Sequence, residues 1–209
     1  MLLQEPDYSV AGTIDNTEYD KTHADRFTVD GKSITMEEDV QFAHYDPNVA
    51  SLMQLGKWFD YMRENGVYDN TRIILVADHG RGLYLNWDRV IDNGPDTDFF
   101  FPLLMVKDFN AKGFSFSDTF MTTADVPTLA TSGLIDNPTN PFTGNAINAN
   151  AKYDRPFYAF MSYDWDTSKN NGNQFFPGTW YRVDNQNARD KRNWVMVGEN
   201  LSLIHISEP

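Results

Sequence analysis

Arg72-Ile73-Ile74-Leu75-Val76-Ala77-Asp78-His79-Gly80 is the stretch on which the fold turns. Five apolar residues in a row, three of them β-branched, run straight into an acid, an imidazole and a glycine. An uninterrupted apolar run of this length predicts a strand covered on both faces, as inside a parallel sheet. Open α/β sheets bind their ligands beyond the carboxyl ends of such strands. Asp78 and His79 are thus delivered side by side to the edge where chemistry is done, as half of a divalent-metal site. Gly80 is expected to let the backbone turn tightly and pass close to whatever is bound there. From spacing alone the alternative is an acid capping a turn beside a buried, hydrogen-bonded histidine.

Upstream of this run, Asp46 is placed to cap a helix that begins at Pro47. Leu52, Leu55, Phe59 and Met62 then fall on one face, with Met53 and Trp58 beside it, and the stripe reads as core packing. The helix is expected to stop near Gly66, and Tyr68-Asp69-Asn70 to turn the chain into the strand. Helix, tight connection and buried strand form one half of an α/β crossover unit. A separate helical piece is expected over 35–42, capped by Thr35 or Ser33, and a short strand at Phe27-Thr28-Val29.

Downstream, a polar loop runs from Gly80 to about Asp98. The later half of 99–106 reads as a second buried strand. Asp125 then caps a helix with Pro127 in its first turn and Gly133 at its end, and Asn137-Pro138-Thr139-Asn140-Pro141 is a loop. Phe157-Tyr158-Ala159-Phe160-Met161 and Trp180-Tyr181-Arg182-Val183 read as strands of a small antiparallel layer.

The 209 residues carry a formal net charge of -13 and no cysteine. Without a basic patch to neutralise phosphates, nucleic acid is excluded as a partner. A phosphate- or sulfate-bearing substrate is not, because a bound cation reverses the local field. Disulfides and Cys-ligated zinc are excluded as well. No apolar run reaches the length of a membrane span and no signal peptide opens the chain. The opening Met1-Leu2-Leu3-Gln4-Glu5-Pro6-Asp7-Tyr8 has neither capping nor targeting logic. The closing Leu201-Ser202-Leu203-Ile204-His205-Ile206-Ser207-Glu208-Pro209 resembles the translation of a transposon-end adapter used in sequencing libraries; the alternative is a C-terminal strand. On the adapter reading, 201–209 is a non-native tail, His205 is no ligand, and the parent protein is longer at both ends.

The run from Asn65 through Gly80 closely resembles the helix-to-metal-strand signature of the sulfatase and alkaline phosphatase superfamily. Thr123-Ala124-Asp125-Val126-Pro127-Thr128-Leu129-Ala130-Thr131-Ser132-Gly133-Leu134 resembles its second familiar element. An apolar strand lies between them at 102–106, and Gly144 sits where the family places a glycine turn. The matches span roughly residues 46 to 146 in the family's order. Within the superfamily the chain looks most like lipoteichoic acid synthases and phosphoglycerol transferases, because Arg81 follows Asp-His-Gly where sulfatases commonly have an acid.

That resemblance implies the C-terminal part of an alkaline-phosphatase-like α/β domain, a mixed or parallel sheet sandwiched by helices. Residues 1–150 would be the C-terminal half of the catalytic domain and 151–200 an aromatic- and Asn-rich α+β subdomain. One divalent metal is implied, held by Asp78 and His79, with Mn the first choice and Zn, Mg or Ca the alternatives. Residues 80–200 contain no histidine, which favours one metal over a two-zinc centre. Arg81 is a candidate for binding substrate phosphate through a bidentate contact, or else a solvated loop arginine. The nucleophile, a Thr in the synthases and a modified Cys or Ser in sulfatases, has no counterpart between Met1 and Asp46, so no catalytic residue is assigned within this chain.

The implied parent transfers a phosphoglycerol-type group from a lipid, such as a glycerophospholipid, to a cell-envelope acceptor. It would be extracytoplasmic and anchored to the membrane by an N-terminal segment absent here. A sulfatase or phosphodiesterase acting on sulfate or phosphate esters is the enzymatic alternative. A non-catalytic extracellular glycan-binding protein is the alternative of another class, with Tyr158, Tyr163, Trp165, Trp180, Tyr181 and Trp194 as a binding face; packing of those aromatics in a small subdomain is the rival reading. His23 and His44 read as surface residues.

Overall fold

The computed structural model describes residues 28–29, 31–33, 35–83, 89–92, 94–162, 166, 168 and 176–199. Expectations for His23, Tyr163, Trp165 and the 201–209 tail lie outside these residues. The chain divides into two compact units, one of residues 1–73 with 106–113 and the other of 74–105 with 114–209.

In the first unit, β1 (Thr28–Val29) and β2 (Lys32–Ser33) pair antiparallel. Helix α1 then runs from Asp39 to Glu64. It starts earlier than Pro47 because Gln41 closes its amino end: the buried Gln41 side-chain oxygen accepts the Glu37 and Glu38 N–H groups at 2.8 and 3.2 Å. The two helical pieces expected over 35–42 and from Pro47 are therefore one, and Pro47 lies inside it. An interior proline costs about 3 kcal/mol, because it leaves the carbonyl four residues back, here that of Ala43, without its donor. Side chains reinforce the helix around it: Asn48 donates to the His44 carbonyl at 2.6 Å and Ser51 to the Pro47 carbonyl at 2.7 Å.

The buried apolar residues of α1 are Phe42, Ala50 and Met62. Of the expected stripe only Met62 is among them, and Leu52, Met53 and Trp58 are about half exposed. Leu52 stands about 200° around the axis from Ala50, so two faces of this helix are apolar and periodicity does not choose between them. The helix ends as expected at Asn65, with Gly66 taking the left-handed conformation, φ 66°.

The turn after α1 is tied down by charge. The Lys107 ammonium donates to the carbonyls of Tyr68, Asp69 and Thr71, the last at 2.9 Å. Arg72 donates twice to one Asp108 oxygen, at 3.0 and 2.9 Å. The Phe109 N–H and Arg72 hold the Asp108 carboxyl below its usual pKa.

Strand β3 is Ile73–Val76, as read from sequence, and β4 is Leu104–Lys107; the two form a two-stranded sheet. Asp69 accepts from Asn110, Leu103 from Ala77 and Phe99 from Gly80, so the partners descend as β3 advances and the pair is antiparallel. The continuous apolar run leads one to expect parallel neighbours and two covered faces. Among the described residues β3 has this one partner, and Val76, Leu103, Met105 and Val106 are exposed.

In the second unit a 3₁₀ turn (Thr123–Asp125) leads into α2 (Val126–Thr131), with Asp125 at the boundary and Pro127 in the first turn, as expected. Beyond it, Thr139 and Ala146 bridge across a tight loop whose turn is held by the Asn140 side chain, which accepts from the Phe142 and Thr143 N–H groups.

The expected antiparallel layer is present, with one strand more. Strands β5 (Phe157–Met161), β6 (Thr179–Val183) and β7 (Trp194–Glu199) pair antiparallel in that order, with a bulge at Trp180/Tyr181. Ala159, Tyr181, Val183 and Trp194 form the core, and Ile91, Phe100, Phe157, Met161 and Ala188 pack around it. The Trp194 indole N–H donates to the Ala188 carbonyl at 2.8 Å, so the buried ring leaves no polar atom unmet there. The described structure thus combines helices with antiparallel sheets.

Candidate functional site

Two backbone bonds bracket the end of β3. The Ala77 N–H donates to the Leu103 carbonyl at 2.9 Å, and the Gly80 N–H to the Phe99 carbonyl at 2.8 Å. Between them the chain leaves the ladder, and Asp78 and His79 stand out into solvent with side chains 89% and 70% exposed. That exposure removes the buried-histidine alternative.

Each of the two side chains has one atom engaged and one left over. Asp78 Oδ1 accepts the His79 backbone N–H at 2.9 Å, which holds the turn. His79 Nδ1 lies 2.7 Å from the Gly80 carbonyl oxygen. A carbonyl can only accept, so Nδ1 carries the proton and Nε2 keeps its lone pair when the ring is neutral. The two remaining atoms, Asp78 Oδ2 and His79 Nε2, are 3.9 Å apart. Metal-binding histidines commonly donate their other ring N–H to a carbonyl in this way, which fixes the tautomer and the ring. Bonds of about 2.0–2.2 Å from N and O to a divalent ion let donors at this separation share one cation.

Gly80 is needed for a different reason from the one expected. Its φ is not left-handed, and what crowds it is the chain itself. A Cβ at Gly80 would meet the Asp98 carbonyl oxygen at 2.0 Å and that of Phe101 at 2.9 Å. A Cβ at Gly82 would meet the Phe99 ring at 2.6 Å. The 3₁₀ turn Thr97–Phe100 therefore seats directly under the site loop.

That turn is itself built from charges. Asp96, buried, accepts the Asp98 N–H at 2.9 Å, and Arg89 donates to Asp98 at 2.6 Å with both side chains largely covered. Thr97 is fully buried and its hydroxyl has no hydrogen-bond partner among the described residues. Sequence reasoning passed over Arg89, Asp96 and Asp98; the acid-rich Asp96-Thr97-Asp98 before an aromatic run was their only signal. Arg81 is exposed, and its guanidinium carbon lies 5.8 Å from the Phe99 ring centre.

No group of three or more His, Cys, Asp or Glu side chains able to hold a metal is gathered among the described residues. His44 lies in α1, half-buried. Of the aromatics offered as a glycan face, Trp180, Tyr181 and Trp194 are buried in or beside the sheet core, which takes them out of any binding surface. Among the described residues no helix is long and apolar enough to cross a membrane.

No family model, curated protein or solved structure matches this chain.

Proposed function

We propose that this chain is the C-terminal portion of a metal-dependent phosphoryl-group transferase whose Asp78 and His79 supply two ligands of one divalent cation. The observation that carries the reading is the pairing of Asp78 Oδ2 with His79 Nε2 at 3.9 Å, exposed at the end of an apolar strand, with Nδ1 held by the Gly80 carbonyl. A carboxylate and an imidazole together suit Mn or Zn, and Mn is the first choice. Such an ion, when bound, polarises a phosphoryl oxygen and stabilises an attacking alkoxide.

The chain's own residues would do the rest of the local work. Asp78 and His79 would fix the position of charge, Gly80 and the turn below it would keep them there, and Arg81 would donate to a substrate phosphate. The covalent nucleophile, the remaining ligands and the parallel neighbours of β3 belong, on this reading, to sequence upstream. The parent would move a phosphoglycerol-type group from a lipid to an envelope acceptor, outside the cytoplasm, with its membrane anchor also upstream. A sulfatase or phosphodiesterase uses the same ligand pair and differs in its nucleophile. The upstream gene sequence separates these: a Thr motif supports the transferase and a Cys or Ser motif the hydrolase.

Titration of the purified chain with Mn(II), followed by electron paramagnetic resonance, is expected to show weak binding at one site. Asp78→Ala should abolish that binding and leave the circular dichroism spectrum unchanged. Because two ligands without a nucleophile cannot form the covalent intermediate, no turnover of p-nitrophenyl phosphate or sulfate is expected. Hydrolysis by this chain, or Mn binding indifferent to Asp78→Ala, would overturn the reading.

A further inference from the structure

A cleft of about 370 Å³ opens between two turns of the second unit. One wall is Tyr153, Asp154, Arg155 and Pro156, and the other is Asp184, Asn185 and Gln186, with Val183 at its base. The volume falls at the lower end of the roughly 300–1,000 Å³ of small-molecule pockets. We propose that this cleft binds one or two pyranose rings of a neutral carbohydrate, with Tyr153 as the stacking surface and Arg155 and Asn185 as hydrogen-bonding groups. The inference stands on the cleft alone and does not rest on the metal-site reading.

The lining has the chemistry a sugar needs. A pyranose presents an apolar face of C–H bonds and a rim of hydroxyls that both donate and accept. Tyr153 is 43% exposed, whereas Trp180, Tyr181 and Trp194 of the sheet are buried. Around it stand a guanidinium, two carboxylates and two amides, planar groups that meet neighbouring hydroxyls two at a time. The charges nearly cancel: Asp154 is offset by Arg155, and Asp184 is bound by Arg182 at 2.7 and 3.1 Å. A cleft of no net charge has little to offer a phosphate and suits a neutral polyhydroxyl ligand.

Both walls are fixed before any ligand arrives. Lys152, largely covered, donates to the buried Asp125 at 3.0 Å, and Asp125 also accepts the Thr122 N–H at 2.7 Å, which anchors the first wall to the start of α2. Gln186 reaches across and donates to the Tyr153 carbonyl at 2.9 Å. Asn185 donates to the Asn193 side chain at 3.2 Å. Asn185 and Gln186 are successive non-glycine residues at φ 56° and 51°. A left-handed backbone is unfavourable for side chains such as glutamine, and two such residues in succession persist only where the surroundings enforce them. A rigid cleft of this kind spares a weakly held ligand the cost of ordering its site.

The test is a titration of the ¹⁵N-labelled chain with cellobiose, maltose and chitobiose, and separately with glycerol 3-phosphate and inorganic phosphate. At least one disaccharide should shift the amides of 153–155 and 183–186 with millimolar affinity and no dependence on salt. Tyr153→Ala and Arg155→Ala should each weaken that binding roughly tenfold, as removal of a central contact does. Asn185→Gly removes the amide and relieves the left-handed strain, so it should weaken binding while holding or raising Tm. Shifts from the phosphates alone, no shift from any of the sugars, shifts elsewhere in the chain, or sugar binding untouched by Arg155→Ala and Asn185→Gly would each overturn the proposal. Mn binding through Asp78 is read in a separate experiment, so either result can fail without the other.

Discussion

The β3–β4 pair and the β5–β6–β7 sheet use similar apolar material to opposite effect. Strand β3 is entirely apolar, yet Val76 is 44% exposed and Leu103, beside β4, 50%. Strand β6 carries a threonine and an arginine, yet Trp180, Tyr181 and Val183 are buried. Apolar content sets how much surface can be hidden; the number of strands and the cover laid across them set how much is. A two-stranded ribbon has an edge on each side and little area to offer a second layer. Three strands, with a bulge bending the middle one and Ile91 and Phe100 laid against them, enclose a core.

The contrast breaks first at Trp194. Trp194→Ala empties the centre of the three-stranded sheet, strips the Ala188 carbonyl of its donor, and should cost roughly 3–5 kcal/mol in urea denaturation. Gly80→Ala comes next. Its new methyl must push the Thr97–Phe100 turn away, at about 1–3 kcal/mol, and should broaden the NMR signals of 78–80. Leu103→Thr should change stability by less than about 0.5 kcal/mol and raise the concentration at which the chain aggregates, measured by light scattering. If Leu103→Thr costs as much as Trp194→Ala, the β3–β4 face is covered in solution and the contrast fails.

The smallest effect is one of pH. Asp190 caps the Lys191–Asn193 turn before β7, and the Arg192 side chain and N–H hold its pKa at about 2 against a usual 3.8. Between those values the folded chain binds fewer protons than the unfolded one. Stability from this group is therefore complete above about pH 4 and lost as pH falls through 2. A carboxyl ¹³C titration should place the midpoint near 2, and Arg192→Gln should return it toward 3.8.

How far the residues announced this structure depends on how local the deciding interaction is. The end of α1 at Gly66, the start of α2 at Asp125 and Pro127, and strands β3, β5 and β6 follow from neighbours within a few positions, and all were legible. The start of α1 was not, because the buried Gln41 amide outweighs a proline that normally opens helices. Nor was the orientation of β4: a continuous apolar run fits any buried strand, and direction depends on bonds such as Gly80 to Phe99, made across a loop. At the site, the adjacency of Asp78 and His79 could be read directly. What lies beneath them could not, since Arg89 and Asp98 meet only after the turn has folded. The cleft by Tyr153 joins residues some thirty positions apart, and no short motif marks it.

The close fit at Gly80 has a consequence for how the chain tolerates change. Asp78 and His79 are exposed and hold nothing but their own turn, so their substitution should leave folding nearly untouched. The very next residue admits no side chain at all. A deep mutational scan read by abundance would pass over the two and drop sharply at the third. On the proposed metal-site reading, one read by Mn(II) binding would respond to all three. Three consecutive residues thus set two exposed side chains that cost the fold little beside a backbone position that admits none.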